Sequence, residues 1–170
     1  MKTIKGFISI ISLTAAFAVA AAAQTVLTTL DGGRIDLDSQ KGKVVVLAVG
    51  AAWLPLSTKQ ADYTNTLAKK YAGKDVVVYF VATDSTNVKS KNYMSPEDIR
   101  KFVGANKINV PVRRDSDGGL TLKKYNIDQV PSFVILDKNG SRVGEPFGGI
   151  STDPKFDLTI QISKAIDKIL

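Results

Sequence analysis

Two uninterrupted β-branched runs, Lys43 to Gly50 (KVVVLAVG) and Asp75 to Ala82 (DVVVYFVA), constrain the fold of this sequence more than any other feature. A strand with one wet face alternates apolar and polar residues. Runs apolar at every position belong to strands covered on both faces, as in parallel sheets flanked by helices. The segment between them carries Ala61, Thr64, Leu67, Ala68 and Tyr71 at helical spacing, and Gly73 stops it. A buried strand, a helix and a second buried strand make a right-handed parallel crossover, so the chain is expected to be an α/β protein.

The remaining elements fit around that unit. Val26 to Leu30 and Arg34 to Leu37 flank Asp31-Gly32-Gly33, which reads as an N-terminal β-hairpin. Ser57-x-x-Gln60 has the form of a capping box, whereas Pro55 points to a first helical turn that begins slightly earlier. Ser95-Pro96-Glu97-Asp98 opens another helix, with Ile99, Phe102 and Val103 facing the core. Asp117 to Tyr125 is a short helix weakened by Gly118 and Gly119. Ser132 to Asp137 and Ser141 to Phe147 form a hairpin about Asn139-Gly140. Asp153-Pro154 is expected to cap a last helix with the stripe Leu158, Ile162, Ala165, Ile166 and Ile169. The expected order is βββαβαβαββα, a central mixed sheet flanked by helices in one domain over residues 24–170.

Residues 1–23 are set apart from that domain. Lys2 and Lys5 precede an apolar run from Gly6 to Val19, and Ala21-Ala22-Ala23 supplies small residues for cleavage, the layout of a signal peptide. The run is short for a bilayer core of about 30 Å, so no stable membrane anchor is expected after cleavage. The chain is therefore expected to be exported, to a periplasm or beyond. Residues 24–170 keep 21 basic against 16 acidic residues, a net charge of +5. The lysines are scattered over helix faces and loops, and export argues further against a nucleic-acid partner.

Composition also removes whole classes of chemistry. The chain has neither cysteine nor histidine. Without thiols it has no disulfide, no thiolate nucleophile and no peroxidatic group. Without imidazole it lacks the commonest general base and transition-metal ligand. Lys59, two residues from Ser57, falls on another face of the helix, so a Ser–Lys pair is not formed. Asp115-Ser116-Asp117-Gly118 begins like a calcium loop but lacks the closing glutamate, and reads as a turn of self-capping aspartates. The run Lys89 to Tyr93 reads as a solvated loop. No catalytic residue, metal or cofactor is expected.

The order of elements and three sequence blocks resemble the thioredoxin superfamily, above all the exported TlpA- and ResA-like thiol–disulfide reductases, with the peroxiredoxins next. Leu37 to Leu47 (LDSQKGKVVVL) is similar to that family's "L-x-x-x-K-G-K-x-V-V-L". Ala51 to Ser57 (AAWLPLS) stands where the family has "A-x-W-C-x-x-C". Tyr125 to Gly140 (YNIDQVPSFVILDKNG) is similar to "Y-x-V-x-x-x-P-T-x-F-x-I-D-x-x-G", whose proline is cis. The resemblance implies a thioredoxin-like fold in which Leu54 and Ser57 occupy the positions of the attacking and resolving cysteines. It also implies that Val130-Pro131 lies opposite that turn. A vestigial groove would then be bounded by Trp53, Leu54, Pro55, Leu56 and Ser57 on one side and Val130 and Pro131 on the other.

Two apolar residues, Leu54 and Leu56, in a turn that is usually small or reactive suggest a surface for an extended peptide or protein partner. Alternatives stay open here. Trp53 is either a packing aromatic or a platform for a ligand, and Pro131 either shapes a groove or only lets the chain enter its strand. The whole protein is a binding or accessory module, a component of an exported disulfide-reductase or peroxide-handling system, or a homo-oligomeric scaffold.

Overall fold

A computed structural model describes residues 24–153 and 155–170. The proposed signal peptide, like Pro154, lies outside the described residues. Six strands form one mixed sheet: β1 (Val26–Thr28), β2 (Arg34–Asp36), β3 (Val44–Gly50), β4 (Val76–Ala82), β5 (Val112–Arg114) and β6 (Ser132–Leu136), in the order β2-β1-β5-β4-β3-β6. β3, β4 and β5 run parallel, whereas β6 is antiparallel to β3. The β1–β2 hairpin extends the sheet by pairing Thr28 with Arg114 of β5.

The helices are α1 (Ser57–Lys70), α2 (Pro96–Ala105), α3 (Thr121–Lys124) and α4 (Leu158–Asp167). Every residue of β3 is buried, as its unbroken apolar run requires. Val44, Val46 and Ala48 belong to a cluster with Leu67 of α1, Ile99 of α2 and Leu158, Ile162 and Ile166 of α4. Val45, Leu47 and Val49 belong to a second, with Leu27, Leu37, Tyr125 and Ile127. The alternation along one strand thus feeds two cores, and the α/β, thioredoxin-like architecture with its N-terminal hairpin is as the sequence implied.

Four local expectations need correction. The second arm of the C-terminal hairpin is no strand. It touches β6 only at isolated bridges, Phe133 with Phe147 and Leu136 with Arg142, because Gly144 turns left-handed (φ 65°) and Pro146 lacks an N–H to donate. The last helix starts at Leu158, capped by Asp157, whose carboxylate accepts from Thr159 N–H at 2.9 Å. Asp153 instead closes a turn by accepting from Lys155 N–H. The expected 117–125 helix is split into a 3-10 turn and the short α3, and Asp115 accepts from Leu120 N–H and Thr121 N–H. The capping box at Ser57 is not made: Leu56 stands at the N-cap without a side-chain bond, and Gln60 turns inward. Leu56 already has helical backbone angles, so the helical path does begin just before Ser57. By contrast, Ser95 caps α2 by accepting from Asp98 N–H at 3.1 Å, as its sequence pattern predicts.

Candidate functional site

The C-terminal ends of β3, β4 and β5 leave the sheet at one edge, the usual place for a site in an α/β fold. From β3 the chain enters two tight turns, with Leu54 N–H donating to Ala51 O at 3.1 Å and Ser57 N–H to Leu54 O at 3.0 Å. These turns deliver the segment Trp53–Ser57 to the N-terminus of α1. There the residues part company. Trp53 is 46% exposed, Leu54 and Leu56 are half-buried, Pro55 is exposed and Ser57 is fully buried. Leu56 packs against the first core cluster, so only part of the apolar turn faces outward.

Beneath the turn sits Asp84, fully buried at the end of β4. Its carboxylate accepts both bonds of a forked contact from Ala52 N–H, at 2.9 and 3.1 Å. Burial pushes its pKa above the ordinary carboxylate value, while backbone donors, Ala52 first, and the charge of Arg114 pull it back. Arg114 is itself buried and donates to the carbonyls of Ser85 and Met94 at 2.9 and 2.6 Å, which clamps the ends of the 85–94 loop. A carboxylate thus holds the turn, and a guanidinium holds the loop beside it.

Gln60 ties the two sides of the site together. Fully buried on the inward stripe of α1, it donates from Nε2 to Val49 O at 3.1 Å and to Ser132 O at 2.8 Å. Val49 and Ser132 are paired across β3 and β6, and Ser132 directly follows the cis Val130–Pro131 bond. The two bonds fix which end of the amide is nitrogen. Ser57 Oγ, Gln60 Oε1 and Ser132 Oγ are buried close by without a hydrogen-bond partner among the described residues. Ser57 thus presents its hydroxyl to an interior that does not engage it among the described residues.

Val130 and Trp53 meet across a cleft of about 310 Å³, lined also by Ala51, Thr83, Asn92, Asp117 and Leu122. Leu54, Pro55, Leu56, Ser57 and Pro131 do not line it. The main-chain N–H and C=O of Val130 carry no hydrogen bond among the described residues. Thr83, Asp84, Asn92 and Asp117 were not legible as site residues. Gln60 had a signal, since a glutamine at the head of the apolar stripe Thr64, Leu67 and Tyr71 must be buried and bonded. Among the described residues no group of acidic side chains is arranged to hold a metal ion.

The sheet order, the turn from β3 into α1 and the cis proline beside it define a thioredoxin-like domain. Among the solved structures that share it are a thioredoxin-like protein from Aeropyrum pernix (25% identity, TM-score 0.67, 86% of this chain and 90% of that one) and an exposed lipoprotein thioredoxin from Streptococcus pneumoniae strain TIGR4 (27%, TM-score 0.66, 86% and 99%). The chain belongs to the AhpC/TSA family, whose sequence pattern matches residues 19–141. It is 32% identical over 120 residues to the thiol-disulfide oxidoreductase ResA of Bacillus thuringiensis subsp. konkukian, covering 71% of this chain and spanning 64% of that relative's length. A thioredoxin-like protein of Bacillus subtilis, YneN, is 30% identical over 114 residues, 67% of this chain and 62% of its own. Relatives named for thiol–disulfide chemistry thus share their sequence pattern with a chain that has no thiol.

Proposed function

We propose that this protein is a redox-inactive binding module, exported as the sequence of residues 1–23 suggests, whose groove takes an extended segment of a partner protein. The unpaired main-chain donor and acceptor of Val130, on the rim of a cleft walled by the exposed Trp53, carry this reading. An extended peptide running past Val130 can pair with both groups as an added strand, while the indole covers one of its side chains. Such binding needs no thiol. Among the described residues no helix is long and apolar enough to cross a membrane.

The test is a 15N NMR titration of the protein with extended synthetic peptides. Shifts should gather at Trp53 and at residues 130–132, and Trp53→Ala should weaken binding about 5- to 30-fold, the worth of a large aromatic contact. Binding that ignores these residues sinks the groove reading. Insulin-reduction and peroxide-consumption assays on the same sample should stay at background, and thiol-dependent turnover would overturn the claim of inactivity.

A further inference from the structure

Resting on that groove reading, we infer that the cleft beside Val130 is a subsite for a cationic side chain, lysine or arginine, of the bound extended segment. Asp117 is the one ionisable residue among those that line it. Its Oδ2 accepts from Ser85 Oγ at 3.1 Å and from Ser116 Oγ at 2.9 Å. Ser116 Oγ is bonded in turn to Thr86 Oγ1 at 3.0 Å and accepts from Thr86 N–H at 3.0 Å. These hydroxyls fix the carboxylate without neutralising it, since Asp117 forms no ion pair among the described residues. Its backbone is left-handed (φ 56°, ψ 16°), uncommon outside glycine, and its N–H donates to Thr83 O at 3.1 Å.

The lining selects by chemistry. An apolar side chain would press on a charged oxygen and remove its water, and an acidic one would be repelled. A long cationic side chain meets every part of the wall. Its methylene stem suits Ala51, Leu122 and Val130, its charged head suits the carboxylate, and an indole face attracts a cation. The field of the whole chain works the other way. Residues 24–170 carry a net charge of +5, and the exposed Lys89 and Lys91 stand on the same loop as Asn92. A preference for a cationic peptide must therefore arise locally, and charge alone would give the opposite order.

The experiment uses two capped peptides of alternating Thr and Val that differ only in a central Arg or Gln, titrated calorimetrically into the full chain. The Arg peptide should bind about three- to tenfold more tightly, the joint effect of one exposed ion pair and one cation–aromatic contact. Asp117→Asn keeps a residue that tolerates the left-handed backbone and should lower the ratio to about two- to threefold or less, the share left to the cation–aromatic contact. Trp53→Ala, at an exposed position, should reduce it independently and so covers any misfolding of the first variant. Equal affinity of both peptides for the wild type overturns the subsite and leaves the groove reading standing. Binding of neither at millimolar concentration overturns both. An Arg preference undiminished in Asp117→Asn also overturns the proposal.

Discussion

Replacing Gly50 by alanine should destabilise the fold by an amount set almost wholly by one side chain. Gly50 ends β3 opposite Ala82 and needs no left-handed backbone, so its lack of a side chain is a matter of space. A methyl group there would overlap Gln60 Oε1 and lie 3.2 Å from both Gln60 Cδ and Ser57 Oγ. Elsewhere the end of a glutamine would swing aside. Here its nitrogen is bonded to Val49 O and Ser132 O in a fully buried site, so either the methyl is crushed or the two bonds are lost.

Overpacking costs about 1–3 kcal/mol and each lost bond about 1 kcal/mol, against roughly 0.4–1 kcal/mol regained from a stiffer unfolded chain. The two costs are alternatives, so the net is a loss of about 1–2 kcal/mol, or a Tm lower by roughly 2–8 °C for a domain of this size. Urea and thermal unfolding measure it directly. Gln60→Ala removes the obstacle, so Gly50→Ala should cost far less in that background, with a coupling of about 1–3 kcal/mol in the double-mutant cycle. Strict additivity, or a Gly50→Ala protein within about 0.5 kcal/mol of wild type, a surface-substitution effect, would refute the wedge.

Two further outcomes follow from the site. In Leu54→Cys/Ser57→Cys, the new thiols sit three residues apart in a turn already closed by Ser57 N–H on Leu54 O, the first near the N-terminus of a 14-residue helix. They should pair on oxidation and confer insulin reduction, with the first thiol acidified below the free-thiol value of about 8.5 by the helix end; thiol titration before and after oxidation checks the pairing, and failure to pair refutes it. Asp84 gives a pH test whose sign is fixed by burial. Its folded pKa is raised above 3.8, so its contribution to stability is full below the unfolded pKa and is lost as pH rises through the folded one. The stability of wild type relative to Asp84→Asn should fall with rising pH in that window, by about 1.4 kcal/mol for each pH unit between the two pKa values, and a flat difference in urea unfolding refutes it. Asp98, lowered by its bond with the Ser95 hydroxyl, acts in the opposite sense but equally in both proteins.

Strands and helices whose signals are local were legible in the order of residues alone. The apolar runs fix β3 and β4, because only a doubly covered strand tolerates them. Ser95-Pro96 fixes the start of α2, because the cap needs nothing beyond its own turn. Asp153-Pro154 carried a similar pattern yet caps no helix. A cap is decided by which aspartate stands where α4 can begin burying Leu158, and that depends on packing against β3 and α1. Ser141 to Phe147 failed as a strand for a comparable reason: alternation alone supplies neither the extended path that Gly144 leaves nor the donor that Pro146 lacks.

By itself the sequence determined the α/β architecture, the thioredoxin-like order and the absence of any thiol, since these rest on residue types and their spacing along the chain. It also located the turn from Trp53 to Ser57. Only the tertiary structure sorted that turn into an exposed indole, two half-buried leucines and a buried hydroxyl, because burial depends on neighbours distant in sequence. Likewise, nothing in the chain order ties Asp84 to Ala52, Gln60 to Ser132 or Asp117 to the cleft of Trp53 and Val130. The first two pairs lie 32 and 72 residues apart, and all three meet only where the parallel strands end on one side of the sheet.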